Sequence, residues 1–172
     1  GVNGVDMFGF VCLHAPGGYG ISLSESKEAA LTAVSGVKDM ISMLSEDGYS
    51  GYTVVLRNDG TVSVFSDAKQ PLYSTVGWKD IVSVKAGYRK IFAVDSAGRL
   101  RIAYENDYPQ ELRYDVTGWK DILKVTETGK AVVGLTRDGS ITVAYAGTDR
   151  RYGKSLSGIK NATDIASNGS IL

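Results

Sequence analysis

The octet Gly77-Trp78-Lys79-Asp80-Ile81-Val82-Ser83-Val84 returns almost unchanged as Gly118-Trp119-Lys120-Asp121-Ile122-Leu123-Lys124-Val125, and this repetition constrains the fold more than any other feature. Weaker copies stand at Gly36-Val37-Lys38-Asp39 and Gly158-Ile159-Lys160-Asn161, so the opening glycines lie 41, 41 and 40 residues apart. A fixed period of this length means one supersecondary unit per copy, stacked on its neighbours to bury faces that no unit buries alone. The reading is one domain over 1–172, with units at 36–76, 77–117, 118–157 and a composite of 158–172 with 1–35.

Each complete unit carries the same internal pattern. After the Gly-Trp-Lys-Asp opening come a short strand (Ile81 to Val84), a loop at Ala86-Gly87-Tyr88-Arg89, and a second strand such as Ile91-Phe92-Ala93-Val94 or Val132-Val133-Gly134-Leu135. Turns at Asn58-Asp59-Gly60, Ser96-Ala97-Gly98 and Arg137-Asp138-Gly139 separate apolar runs, a hairpin signal because glycine tolerates positive φ. The third strand alternates, with Val62 and Val64, Leu100 and Ile102, Ile141 and Val143 on one side. A fourth, outer strand is expected just before the next opening, at Leu31-Val34, Leu72-Thr75 and Tyr114-Thr117. Four strands in about 41 residues is the size of one β-propeller blade.

The fold class is therefore all-β, a propeller of about four four-stranded blades. At the N-terminus, Met7 to Leu13 and Tyr19 to Leu23 read as a hairpin across Pro16-Gly17-Gly18, whereas Gly158 to Leu172 supplies an opening and a first strand. Pairing of the two terminal pieces would seal the last blade and remove its open edge. The alternatives are an oligomer pooling blades from several chains, or an excised part of a longer propeller.

These residues carry a family resemblance. The Gly-Trp-Lys-Asp-Ile-Val-Ser-Val string, the glycine after it and the later Asp-Gly hairpin resemble the regulator-of-chromosome-condensation (RCC1-like) repeat in its short bacterial form, and Asp115-Val116-Thr117-Gly118-Trp119 resembles the junction between such repeats. The likeness covers roughly 31–168, with Val37 and Ile159 in place of tryptophan in the outer copies. It implies a propeller that serves as a binding scaffold, and it allows the partner to be an enzyme or a regulatory GTPase, but the matching residues are structural and neither specific partner carries over; the propeller is read as one part of a larger surface or secreted protein. The family usually closes seven blades; this chain has material for about four.

Charge and rare residues narrow the functional classes. Nineteen basic and nineteen acidic side chains balance, leaving no electrostatic footprint for a phosphate backbone, so nucleic acid is not an expected partner. Cys12 and His14 are the only residues of their kinds, which excludes a disulfide framework and the usual Cys/His zinc site; Cys12 reads as core and His14 as a strand end. No apolar run approaches a membrane span. No catalytic motif is present, so the chain is read as a non-enzyme without cofactor or metal. An Asp107/Asp149 pair, in equivalent loops of successive units, is the one catalytic arrangement to weigh, as a glycosidase pair.

Function is sought where the copies disagree. Trp78 and Trp119 recur with the motif and are assigned to packing between blades, and Lys79, Lys120, Asp80 and Asp121 to turn capping or exposed ion pairs. The first-to-second-strand and third-to-fourth-strand loops vary, and in an up-and-down blade both sets emerge at one end. That face carries Tyr49, Tyr52, Tyr88, Arg89, Asp107, Tyr108, Lys130, Arg150, Arg151 and Tyr152, a tyrosine-and-arginine composition favoured at recognition hot spots. The expected function is protein recognition by this face; the alternative is a lectin or weak glycosidase using the tyrosines as sugar platforms.

Overall fold

The computed structural model describes residues 36–44, 51–66, 72–129, 131–147, 156 and 158–167. The described residues are all-β, with three successive antiparallel sheets of three strands each. The first holds β1 (Val37–Leu44), β2 (Gly51–Arg57) and β3 (Val62–Ser66), and the second β4 (Ile81–Gly87), β5 (Lys90–Asp95) and β6 (Leu100–Tyr104). The third holds β7 (Ile122–Thr128), β8 (Ala131–Thr136) and β9 (Ile141–Tyr145). The second strand is central in every sheet, which is why β5 is buried along its whole length. No helix among the described residues is long and apolar enough to cross a membrane.

Register shows that the sheets are copies. β1 opens with Val37 opposite Arg57, β4 with Ile81 opposite Asp95, β7 with Ile122 opposite Thr136, and each first strand shifts register at its next two residues, the mark of a bulge. This corrects the alignment of the first copy. Val37 corresponds to Ile81, so Gly36 corresponds to Asp80 and not to Gly77. Gly36, Asp80, Asp121 and Asn161 all take left-handed backbone, at φ 68°, 56°, 57° and 59°. Glycine, aspartate and asparagine are the residues that tolerate this conformation best, so they exchange at this position.

The left-handed residue forms the joint between units. The carbonyl of each hairpin glycine accepts the N–H of the residue that follows the left-handed one in the next unit: Ile81 to Gly60 at 3.0 Å, Ile122 to Gly98 at 2.9 Å, Ala162 to Gly139 at 3.0 Å. A Cβ on Gly60, Gly98 or Gly139 would lie 2.9, 2.8 or 2.7 Å from the Cα of Asp80, Asp121 or Asn161. These glycines therefore make the hairpin and also the close backbone approach of the following unit. The same joint at Asn161-Ala162 begins a fourth unit, whose Ile165 packs with Val133 and Leu135.

Between joints, like positions meet. Lys38 reaches the Val82 carbonyl, Lys85 the Thr126 hydroxyl, Lys124 the Asp164 carboxylate and Arg137 the Ser96 carbonyl, each pair occupying one repeat position in successive units. The apolar core is layered accordingly. One cluster spans the first and second sheets with Val54, Leu56, Ile81 and Ile91, and another the second and third with Phe92, Val94, Ile122 and Val132. Trp78 and Trp119 pack against these layers, as expected from their recurrence, and Trp119 lies so close on Gly134 that a Cβ there would meet its ring at 2.8 Å.

The expected fourth strand does not form at 72–75 or 114–117, which run as irregular chain. Their tyrosines turn into the core layers instead, Tyr73 against Tyr52 (centroids 4.7 Å apart) and Tyr114 against Phe92 (6.4 Å). Burying one large ring per segment takes the place of an edge ladder. The Leu31-Val34 strand, the N-terminal hairpin, its pairing with the C-terminus, Cys12 and His14 lie outside the described residues.

Candidate functional site

Of the ten face residues read from the sequence, Tyr49, Lys130, Arg150, Arg151 and Tyr152 lie outside the described residues, as does Asp149. Tyr88, Arg89, Asp107 and Tyr108 come together at one end of the second sheet. Tyr52 does not join them. It is the second residue of β2, a buried core ring whose hydroxyl proton is shared between the Gly87 carbonyl at 2.7 Å and the Lys90 carbonyl at 2.9 Å, both in the next unit. Burial raises its pKa, so it stays a neutral donor.

The cluster is built on a two-residue turn. Gly87 pairs with Lys90, leaving Tyr88 and Arg89 at the tip. Arg89 is left-handed at φ 56°, which costs an arginine about 1–2 kcal/mol. Its side chain is clamped by the carboxylates of Glu105 and Asp107, from the segment after β6, and its guanidinium lies 5.7 Å from the Tyr108 ring centre. The hydrogen bond to Glu105 is the main reason the guanidinium's pKa rises above its ordinary value. In the second unit the turn after β4 and the segment after β6 share one end, and the Arg89 clamp ties them together. Tyr88 is left 52% exposed on this fixed turn.

Beneath the turn lies a buried polar group that the sequence reading missed. Lys90 Nζ donates to Glu127 Oε1 of the next unit at 2.6 Å and sits 5.2 and 5.6 Å from the Tyr108 and Tyr114 ring centres. Tyr114 donates its hydroxyl proton to the same Glu127 oxygen at 2.7 Å, and its N–H to the Tyr104 hydroxyl oxygen at 2.7 Å. Burial first, and the Glu127 charge second, hold the Tyr114 phenol above its ordinary pKa; burial pushes Tyr104 up to about 12. Lys90 occupies the repeat position of Tyr52, and Glu127 that of Ala86. A Tyr–Tyr contact at one junction is thus replaced by a Lys–Glu–Tyr group at the next, with the new charge neutralised in place. A lysine opening an apolar strand where its copy has tyrosine was the available signal.

The turn, the rings and this ion pair border a cleft of about 490 Å³, whose lining includes Met43, Lys85, Tyr88, Leu112, Glu127 and Ser167. The residues come from all three sheets and from the start of the fourth unit. Among the described residues, no group of three His, Cys, Asp or Glu could hold a metal ion. The carboxylates nearest the turn, Glu105, Asp107 and Glu127, are each committed to a cation.

A scan against protein-family models found no match, and neither did a search of curated proteins. The likeness to RCC1-like repeats rests on the repeated residues themselves.

Proposed function

We propose that the chain is an arc or ring of RCC1-like propeller blades that works as a non-catalytic binding module, meeting a protein partner with the end that carries Tyr88, Arg89, Asp107 and Tyr108. The observation that carries this reading is Tyr88: a large ring held in solvent beside an arginine fixed by two carboxylates and a tyrosine. An aromatic side chain presented on a rigid turn loses little entropy on docking, and tyrosine and arginine are the residues that concentrate binding energy at interfaces. The local strain at Arg89 also favours recognition over a purely structural turn, since strained backbone persists where the surroundings enforce it. For the blade geometry, the support is the constant joint at Gly60, Gly98 and Gly139.

The test compares the unaltered chain, Tyr88→Ala, and a control, Lys79→Ala, at an exposed position of the repeated opening. Each is immobilised and presented to protein extracts and, separately, to a glycan panel. A protein retained by the unaltered chain and the control, and at least about tenfold less by Tyr88→Ala at equal melting temperature, supports the proposal. Retention independent of Tyr88 overturns it, and glycan binding lost with Tyr88 would instead make the tyrosines a sugar platform.

A further inference from the structure

The cleft beside the Tyr88 turn has a chemistry of its own. Three charged residues line it, Lys85, Lys90 and Glu127. Lys90 and Glu127 neutralise one another at 2.6 Å, which leaves Lys85 as the surplus charge. Its ammonium donates to the Thr126 hydroxyl at 2.8 Å and has no carboxylate partner among the described residues. Lysine carries three donors, and among the described residues this neutral hydroxyl takes only one of them. The one other lysine acting on it is Lys124, whose charge is taken by Asp164. Burial first, and Lys124 second, push the Lys85 pKa down, and the Glu127 carboxylate, which is already paired with Lys90, offsets them only in part. The remaining lining is mostly apolar: Met43, Ala86, Leu112, Ala146 and the tyrosine rings.

We infer that this cleft binds a monocarboxylate with an apolar or aromatic body, its carboxylate on Lys85 and its body against Leu112, Met43 and the tyrosine rings. A volume of about 490 Å³ suits a small organic acid or the last residues of a peptide with a free C-terminus. One surplus positive charge selects a single negative one, since a second carboxylate would face Glu127 without compensation. The inference does not depend on the protein partner proposed above: its probes are small molecules, so either reading can fail while the other stands.

The experiment is a calorimetric or NMR titration of the whole chain with 3-phenylpropionate, its amide, and the tripeptide Gly-Gly-Phe as free acid and as amide. The acids should bind at least about tenfold more tightly than their amides, the worth of a charge-assisted hydrogen bond in a partly desolvated site. Preference for the peptide acid over phenylpropionate marks a peptide terminus as the ligand, and the reverse preference a free acid; both uphold the assignment. Lys85→Met should abolish the difference between acid and amide, and Lys38→Met, on a lysine that lies outside the cleft, should leave it. Equal binding of acid and amide, or no binding of any probe at millimolar concentration, overturns the inference on the unaltered chain, without relying on a variant that folds.

Discussion

Gly98 and Gly118 both take positive φ, at 73° and 83°, yet only Gly98 is a joint. A Cβ on Gly118 would meet nothing within 4 Å; one on Gly98 would stand 2.8 Å from Asp121 Cα and 2.9 Å from Ile122 N, backbone atoms with nowhere to go. Alanine at either position forces a left-handed residue, about 1–2 kcal/mol. At Gly98 the overlap adds about 1–3 kcal/mol, and displacement of the 2.9 Å Ile122 N–H bond about 0.5–1.5 kcal/mol. The account therefore predicts a loss of about 1–2 kcal/mol for Gly118→Ala and about 3–6 kcal/mol for Gly98→Ala. For a chain of this size, a gap of 2 kcal/mol separates the melting temperatures by at least about 4 °C. Thermal melts of the two variants, followed by circular dichroism beside the unaltered chain, read this directly. Equal losses, or a greater loss at Gly118, would refute the claim that the hairpin glycines join the units.

Further outcomes follow from the same geometry. Lys90→Met should lower stability by about 3–5 kcal/mol by leaving Glu127 uncompensated, and Lys90→Met/Glu127→Leu should recover most of it in urea titrations; no recovery would contradict the pairing. Gly134→Ala should cost about 1–3 kcal/mol against the Trp119 ring, and the same change in a Trp119→Leu background distinctly less, as a double-mutant cycle would read. At Asp95 burial pushes the carboxyl pKa up, but hydrogen bonds from the Arg99 N–H and side chain outweigh it and the net shift is downward. Its stabilisation is thus present above the unfolded value near ~3.9 and lost as pH falls through the folded one, so the melting gap between the unaltered chain and Asp95→Asn should close between pH 5 and strong acid, on the order of a few pH units. A gap constant with pH would remove Asp95 from that role.

The repeat made the strand content legible. Gly-Trp-Lys-Asp placed the start of β4 and β7, the Asp-Gly and Ala-Gly pairs placed the hairpins, and alternation placed β3, β6 and β9. What stayed hidden depended on residues far apart in the chain. That Gly98 contacts Asp121 is a relation between units, and no local pattern reports it. The first copy was misaligned because Gly36 has two possible counterparts, an identical glycine at 77 and a conformational equivalent at Asp80. Sequence compares side chains, whereas the joint selects a backbone angle. Tyr52 reads from the sequence as the last residue of the variable Glu46–Tyr52 loop, yet β2 already begins at Gly51 and its tyrosine is drawn into the layer between sheets. The outer strand was expected from blade size alone, and Tyr73 and Tyr114 use its apolar residue differently. Lys90 reads from the sequence as the end of the variable Gly87–Lys90 loop, and it and Glu127 read as solvated charges until each is placed beside its partner 37 residues away.

The central claim is that one backbone joint recurs between units and sets their turns at a common end. Through-hydrogen-bond scalar couplings in labelled protein detect it without any substitution. The account predicts a coupling from the Ile81 nitrogen to the Gly60 carbonyl carbon, from Ile122 to Gly98 and from Ala162 to Gly139, with all three amides protected from exchange. Absent couplings with rapidly exchanging amides at Ile81 and Ile122 would contradict it.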